Sequence, residues 1–434
     1  MNGNTLLRDL LNREVMPATG CTEIGAVALA AGWAVRALGP KGGEIDRMEI
    51  EVDQNTYKNA LGVGVPGTGE TGLGFAAAMG VFLSARAEQG LQILENPDEK
   101  AIRNGRSLFQ ENRVQIKQIP EARDIWIKAT VSKDQDQASA IIQGSHDHLV
   151  GVERNGRPFS GAPVFDEKSW KTAEQIKALP YRSLIDFVQG MDPGELPILK
   201  QAITMNVAFA EEARKDLSSM KMGQVIERSK GMGGQGEDLS RKIQFLTAQA
   251  VEARMGGLDL PVMACAGSGN QGLVATLPVV EIGKRVGASE QQILRALALS
   301  FLTTIYVKTF TGLLSPICGC GVAAAVGAGC GIVYLMGGKA PQIEAQISNM
   351  IGAMAGIICD GAKSGCSMKA LMAVGLAIDS SYLSMENVQI PAKDGIMGAD
   401  VMDTLKNLQK IIEGGMSSMD STIVEVMEAK KTKP

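Results

Sequence analysis

The sequence predicts an α+β protein, a mainly helical body with a smaller α/β domain inserted into it. Three observations predict this. Near the N-terminus Leu6, Leu10 and Val15, then Ile24, Val27 and Leu29, recur at roughly helical spacing. From about Gly42 the period changes. Met48-Glu49-Ile50-Glu51-Val52 alternates like a half-buried strand, and four strand-like runs follow at Val114–Ile119, Ile125–Val131, Gln137–Gln143 and His148–Arg154. After Ser183 the pattern is mostly helical again, ending near Met427.

Taken in order, Thr5–Leu38 reads as helix with a break at Pro17–Gly20. A Gly-rich loop, Gly62–Gly74, precedes an Ala-rich helix reaching about Gln89. Asn155-Gly156, a favoured hairpin turn, closes the strand-rich block. The insertion is therefore placed at residues 44–164, and the body at 1–43 and 165–434. No repeat of fixed period is present.

A chain of 434 residues is long enough for two domains or for one large core with an insertion. Aromatic residues are scarce at 4 %, whereas glycine occurs 51 times, so helices are expected to approach closely. A net charge of −4 gives no basic face for nucleic acid, and Lys430-Lys431-Thr432-Lys433 reads as a frayed tail. Arg8, Asp9, Arg13 and Glu14 interrupt the place where a signal peptide would carry its apolar run. The most membrane-like stretch, 296–337, is broken by Lys308 and Pro316 and reads as a buried helix pair, not as a membrane anchor. Seven cysteines without a secretory signal point to reduced thiols, used for metal or catalysis in a cytoplasmic protein.

Cys359 and Cys366 flank one short loop in Cys359-Asp360-Gly361-Ala362-Lys363-Ser364-Gly365-Cys366. The preceding helix is expected to end at Asp360-Gly361 and the next to open at Cys366, where free N–H groups favour a thiolate. The spacer is too long for a zinc knuckle. About forty residues upstream lies Ser315-Pro316-Ile317-Cys318-Gly319-Cys320-Gly321. One of its thiols is positioned to complete a three-thiolate site; side chains two apart on a helix diverge by about 200°, which argues against both binding one centre. Cys265 and Cys330 read as core residues. Cys21 follows a Pro/Gly turn and opens a helix, a setting that lowers a thiol pKa, although packing explains it equally well.

Two glycine-rich regions are candidate cradles for the carboxylate and amine of a small substrate. Residues 62–72 match G-x-G-x-x-G twice, but Pro66 and the distance to the preceding strand exclude a dinucleotide site. Ser268-Gly269-Asn270-Gln271-Gly272 precedes a helix expected to start near Val274 and reads as an N-terminal anion cradle. His146 and His148 are the only histidines and read as a solvated hairpin, which makes histidine-centred metal or triad chemistry improbable.

Together, Thr19-Gly20-Cys21-Thr22-Glu23, Lys58-Asn59, Val65-Pro66-Gly67-Thr68-Gly69, Ser268-Gly269-Asn270-Gln271-Gly272, Cys318-Gly319-Cys320-Gly321 and Cys359-Asp360-Gly361-Ala362-Lys363 resemble the L-cysteine desulfidase family. That family looks related to the alpha portion of iron–sulfur L-serine dehydratases, and the resemblance runs from Met16 to about Met372. It implies a [4Fe–4S] cluster held by three cysteines, with one iron open to substrate. Cys359 and Cys366 match the downstream ligand pair; Cys318 matches the third, with Cys320 as the alternative. Cys21 matches the cysteine that the family is thought to use in catalysis. Lys58, Asn59, Thr68, Ser268, Asn270 and Gln271 are the candidate substrate-binding residues.

The implied reaction is elimination of hydrogen sulfide from L-cysteine to give pyruvate and ammonia. The rivals are an iron–sulfur L-serine dehydratase and, further off, a non-catalytic iron–sulfur protein. The short spacer between the paired cysteines and the lack of a Ser-Ser-His-Thr segment favour cysteine as substrate. A pyridoxal phosphate lyase would need a Schiff-base lysine and a phosphate cradle, and no cradle accompanies Lys363 or Lys369. The expected partner is a small amino-acid substrate, with no nucleic acid and no membrane; a homo-oligomer is compatible with the sequence.

Overall fold

The computed structural model describes residues 3–39, 44–122, 124–163, 175–215, 220, 222 and 238–430. Gly42, the 164/165 boundary and tail residues 431–434 lie outside them.

The chain opens with α1 (Gly3–Glu14), β1 (Val15–Thr19) and α2 (Thr22–Leu38). β2 (Arg47–Val52), α3 (Gln54–Ala60), α4 (Leu73–Phe82) and α5 (Glu99–Gln110) follow. Then come β3 (Val114–Gln118), β4 (Trp126–Lys133), β5 (Asp136–Gln143), β6 (Leu149–Arg154) and the short β7 (Arg157–Pro158). Among the described residues that follow, the long elements are helices apart from one strand: α6 (Arg182–Gly190), α7 (Pro197–Ala213), α8 (Leu239–Gly256), β8 (Pro261–Cys265), α9 (Gly269–Arg285) and α10 (Glu290–Thr311). The last five helices are α11 (Ala325–Leu335), α12 (Ala340–Met354), α13 (Cys366–Met385), α14 (Val401–Lys410) and α15 (Met419–Glu428). The α+β class is as the sequence predicts, with every expected strand between 48 and 154 present.

The larger sheet runs β3-β2-β4-β5-β6-β7, with β2 and β3 parallel and the other pairs antiparallel. Alternation buries one face: Ile127, Ala129, Val131, Ala138, Ala140 and Ile142 are all covered. They pack against α2, whose small side chains fit between this sheet and α4. A Cβ on Gly80 would lie 2.3 Å from the Ala28 carbonyl oxygen, so α4 can approach α2 this closely only with glycine there. Asn155 and Gly156 both have positive φ, as the tight β6–β7 hairpin requires.

The expected helix break at Pro17–Gly20 is in fact a strand. β1 pairs antiparallel with β8, Pro17 opposite Met263, in a two-stranded ladder where proline's missing donor is tolerated. This ladder delivers two site elements side by side: Cys21 after β1, and Ser268 after β8.

One helix, Glu290–Thr311, has the length and apolarity to cross a membrane; 83 % of its apolar window is buried in the protein, making it a core helix. It packs on α11, as the buried helix pair predicts. A Cβ on Gly327 would come 2.3 Å from the Ser300 carbonyl oxygen, which is why this contact uses glycine.

Candidate active site

The cysteine-bearing loops meet through a single antiparallel bridge, Ile317 opposite Ile358. Cys318 N–H donates to the Ile357 carbonyl (2.8 Å), and Cys359 N–H donates to the Pro316 carbonyl (2.7 Å). This corrects the expected helix end at Asp360-Gly361: α12 stops at Met354, because residues 357–359 pair with residues 316–318 instead. Gly361 has φ +95°, and a Cβ there would meet the Lys58 carbonyl oxygen at 2.5 Å. Cys366 opens α13 as expected, its thiol 3.6 Å from the Gly361 carbonyl oxygen.

The Cys318 and Cys320 thiols do not diverge. Cys318 precedes the helix, and the chain enters α11 through a π-helical turn at Cys320–Ala324, so the two sulfurs lie 3.4 Å apart. The contact between the two thiols pulls Cys318 down to about 6, while it and burial push Cys320 well above the usual thiol range. Burial raises Cys359, and burial with the neighbouring Cys318 charge raises Cys366 to about 12.

Cys21 caps α2 and is 3 % exposed. Its thiol donates to Glu23 Oε2 at 2.7 Å. The expected lowering of its pKa at the helix start does not occur. Burial raises it well above the ordinary value and the Glu23 charge adds to this, with Arg254 opposing. Glu23 also accepts from Asn59 Nδ2 (2.8 Å) and Thr22 Oγ1 (3.1 Å). Burial pushes the Glu23 carboxyl up, but the nearby His146 and these hydrogen bonds outweigh it and hold it below the ordinary value. His146 is buried, not solvated: it is 3 % exposed, with Nε2 3.9 Å from Glu23 Oε1. His148 is half-buried in the same turn, its Nδ1 2.9 Å from the Gln143 carbonyl oxygen.

Helix α9 begins at Gly269, five residues earlier than expected, so Asn270 and Gln271 lie in its first turn and Ser268 is its N-cap. The Ser268 side chain makes no capping bond. Arg254, from α8, lies against this helix start. It donates to Asn270 Oδ1 (3.0 Å) and to the Gly20 carbonyl, while its Nε and the Gln271 Oε1 are buried without a hydrogen-bond partner. Lys308, near the end of α10, is buried and makes no ion pair among the described residues; burial lowers its pKa to about 8.

One pocket is lined by Cys21, Asn59, Ser268, Asn270, Gln271 and all four cysteines of the two loops, together with Glu23, Arg254 and Lys308. Two predicted residues stand outside it. The Lys58 ammonium is buried against Asp420 of α15 (2.6 Å). The Thr68 hydroxyl donates to the Val65 carbonyl (2.8 Å) within a loop whose Gly64 packs on the Gly256 backbone. Sequence reasoning missed four lining or neighbouring groups. Glu23 was readable from its place two residues after Cys21; His146, Arg254 and Lys308 carried no local signal, because only tertiary packing brings them here.

Among the described residues no three Cys, His, Asp or Glu side chains converge as a single metal ion would require. Soft thiols from the two loops line the pocket, a donor type that suits an iron–sulfur cluster. Lys58 beside Cys359 and Lys369 beside Cys318 and Cys366 supply positive charge to such an anionic group. Lys363 and Lys369 both bind the Asp360 carboxylate, so neither stands apart as a Schiff-base lysine.

Comparison with known proteins identifies the family of the chain. The family model for the serine dehydratase alpha chain matches residues 88–425. A UPF0597 protein of Caldanaerobacter subterraneus subsp. tengcongensis is 38 % identical over 428 residues, covering 98 % of this chain and 99 % of the relative. UPF0597 proteins of Clostridium tetani (36 %, covering 98 % and 99 %) and Shewanella pealeana (34 %, covering 97 % and 98 %) match as fully. The chain belongs to the serine dehydratase alpha chain family, a family of lyases.

Proposed function

We propose that this protein is an iron–sulfur-dependent carbon–sulfur lyase that eliminates hydrogen sulfide from L-cysteine, giving pyruvate and ammonia. The observation that carries the reading is the meeting of Cys318, Cys320, Cys359 and Cys366 with Cys21 in one pocket. Cys318, Cys359 and Cys366 would hold a [4Fe–4S] cluster. Bound there with one iron free of protein ligands, the cluster would act as a Lewis acid on the leaving sulfur.

The chain's own residues account for the rest. Arg254 and the N-terminal turn of α9 offer positive charge and N–H donors to the substrate carboxylate. Cys21, as thiolate, takes the Cα proton. The C–H electron pair becomes the Cα–Cβ double bond as the C–S pair leaves with sulfur, and the resulting aminoacrylate hydrolyses in water. The pocket walls that bury Cys21 and Arg254 exclude bulk water from the proton transfer.

An L-serine dehydratase is the second reading, favoured by the family model that matches the chain. One experiment separates the two. The protein is purified without oxygen, iron and sulfide are assayed, and L-cysteine or L-serine is added while sulfide and pyruvate are followed. Sulfide release from an iron-loaded protein supports the desulfidase, and pyruvate from serine alone supports the dehydratase. Colourless protein that still turns over cysteine would overturn the cluster reading. C21A should abolish turnover while leaving the cluster absorbance intact.

A further inference from the structure

The reading above requires Cys21 to lose its proton, yet its thiol is buried and donates to a carboxylate that holds a negative charge close by. Something must receive that proton. The candidates that face the thiol are few, and they form a chain leading away from the pocket.

Glu23 Oε2 lies 2.7 Å from Cys21 Sγ, and Glu23 Oε1 lies 3.9 Å from His146 Nε2. That nitrogen is buried and has no hydrogen-bond partner among the described residues, an unusual state for an imidazole 3 % exposed. Gly267 at φ +74° leaves room for the ring; a Cβ there would lie 3.2 Å from His146 Nδ1. Asn59 holds the Glu23 carboxylate between the two partners by donating to Oε1. His146 comes from the β5–β6 turn, whereas Cys21 caps α2 and Glu23 lies in its first turn.

We propose that Glu23 and His146 form a buried proton relay behind Cys21, with the β5–β6 turn supplying its outer member. This rests on Cys21 being the base of the elimination. The Cys21 S–H bond breaks as the proton bonds to Glu23 Oε2, leaving a thiolate. A half-turn of the carboxyl about its last torsion, which is broad and two-fold, carries the proton to the His146 side. The lone pair of Nε2, in the Nδ1–H tautomer, accepts it and the carboxylate is restored. The thiolate then takes the Cα proton of the substrate. In sum one proton leaves Cα and one rests on the imidazole, with no electron exchanged.

The charged groups facing His146 are Glu23 on α2, Asp53 at the start of α3, Asp147 in its own turn and Arg254 on α8. Burial outweighs the three carboxylates and lowers the imidazole pKa, which leaves the ring neutral, with one nitrogen lone pair free, at neutral pH. His146 acts through Glu23, so it is a positioning residue whose role shows in the behaviour of Cys21.

The test needs no substrate, so its outcome is independent of which amino acid is cleaved. The full chain is alkylated with iodoacetamide between about pH 5 and pH 10, and Cys21 is resolved from the other cysteines by peptide mass. In H146Q and H146N, checked for folding by circular dichroism, alkylation of Cys21 near neutral pH should slow by about tenfold or more, with the curve displaced to higher pH. An unmoved Cys21 curve in folded variants overturns the relay. A second readout covers variants that fail to fold. H148Q leaves His146 as the only histidine, so its imidazole can be followed by nitrogen-15 NMR in otherwise native protein. Its titration should shift when Cys21 is alkylated, and a titration indifferent to Cys21 overturns the proposal. A chain that passes both tests but cleaves no cysteine would keep the relay and lose the substrate assignment.

Discussion

The sulfurs of Cys318 and Cys320 lie 3.4 Å apart even though their residues are separated by one glycine. On a continuous helix they would point away from each other; here Cys318 sits before the first helical turn and Cys320 opens it. Their contact draws Cys318 toward the thiolate and pushes Cys320 the other way. On the proposed cluster reading, Cys318 would be the ligand and Cys320 its supporting thiol. C318S should lose most of the bound iron of anaerobically purified protein. C320S should keep its cluster, with affinity for iron weakened by about 10- to 100-fold, the usual effect of losing a group that supports a ligand. Equal iron loss in the two variants would count against this division.

Lys58 and Asp420 join the first and last parts of the chain. The lysine side chain is 0 % exposed, and Asp420 lies on α15, which packs against α3. Removing one partner of a buried pair strands the other charge. D420N should therefore destabilise the protein by about 3 kcal/mol, measured by urea unfolding, whereas K58M/D420L should recover most of the loss. A D420N variant as stable as the wild type would mean that solvent reaches Lys58.

How much of this was readable beforehand depends on how local each cause is. All five strand-like runs are strands, and the alternation of Met48–Val52 and of the β4 and β5 runs needs only a buried sheet face. Asn155-Gly156 fixes its turn by its own backbone preferences. The early end of α12 was not legible, because Ile358 is claimed by Ile317 forty residues upstream. The β1 strand was hidden for a similar reason: its partner, β8, lies some 250 residues away, and Pro17 beside Gly20 reads locally as a break. In the candidate site, the cysteines and Asn270 could be found because motifs carry them. Burial of His146 against α2, or pairing of Lys58 with Asp420, is decided entirely by packing between distant segments.

Gly269 tests the role of Arg254 without altering the arginine. A Cβ at Gly269 would fall 2.4 Å from Arg254 Nε and 2.6 Å from Cζ, overlapping the guanidinium. G269A should push that group away from Asn270 and the Gly20 carbonyl. The stability cost should be modest, about 1–3 kcal/mol, as for other overpacked sites. Cysteine turnover should suffer more: KM should rise by about tenfold or more, in line with loss of a charge-assisted contact worth about 1.5–3 kcal/mol. A change confined to kcat would instead point to Arg254 acting through Gly20 on the placement of Cys21.

Glu14 sets a pH dependence of stability that can be separated from catalysis. Burial pushes its carboxyl from the ordinary 4.5 up to about 7, Asp147 adds to this, and Arg13 opposes it. The folded chain therefore binds this proton more tightly than the unfolded chain does. The resulting stability is fully present below about pH 4.5 and is lost as the pH rises through about 7. The full shift corresponds to about 3 kcal/mol at 1.36 kcal/mol per unit; because the residue is only partly covered, about 1–2 kcal/mol is expected. E14Q replaces the group with one that never ionises. Measured by denaturant unfolding, it should be more stable than the wild type at about pH 8 and little different at about pH 4.5. A gain of the same size at both pH values would assign the effect to packing. A loss at the higher pH would mean that the ionised carboxylate has a stabilising partner in the fold.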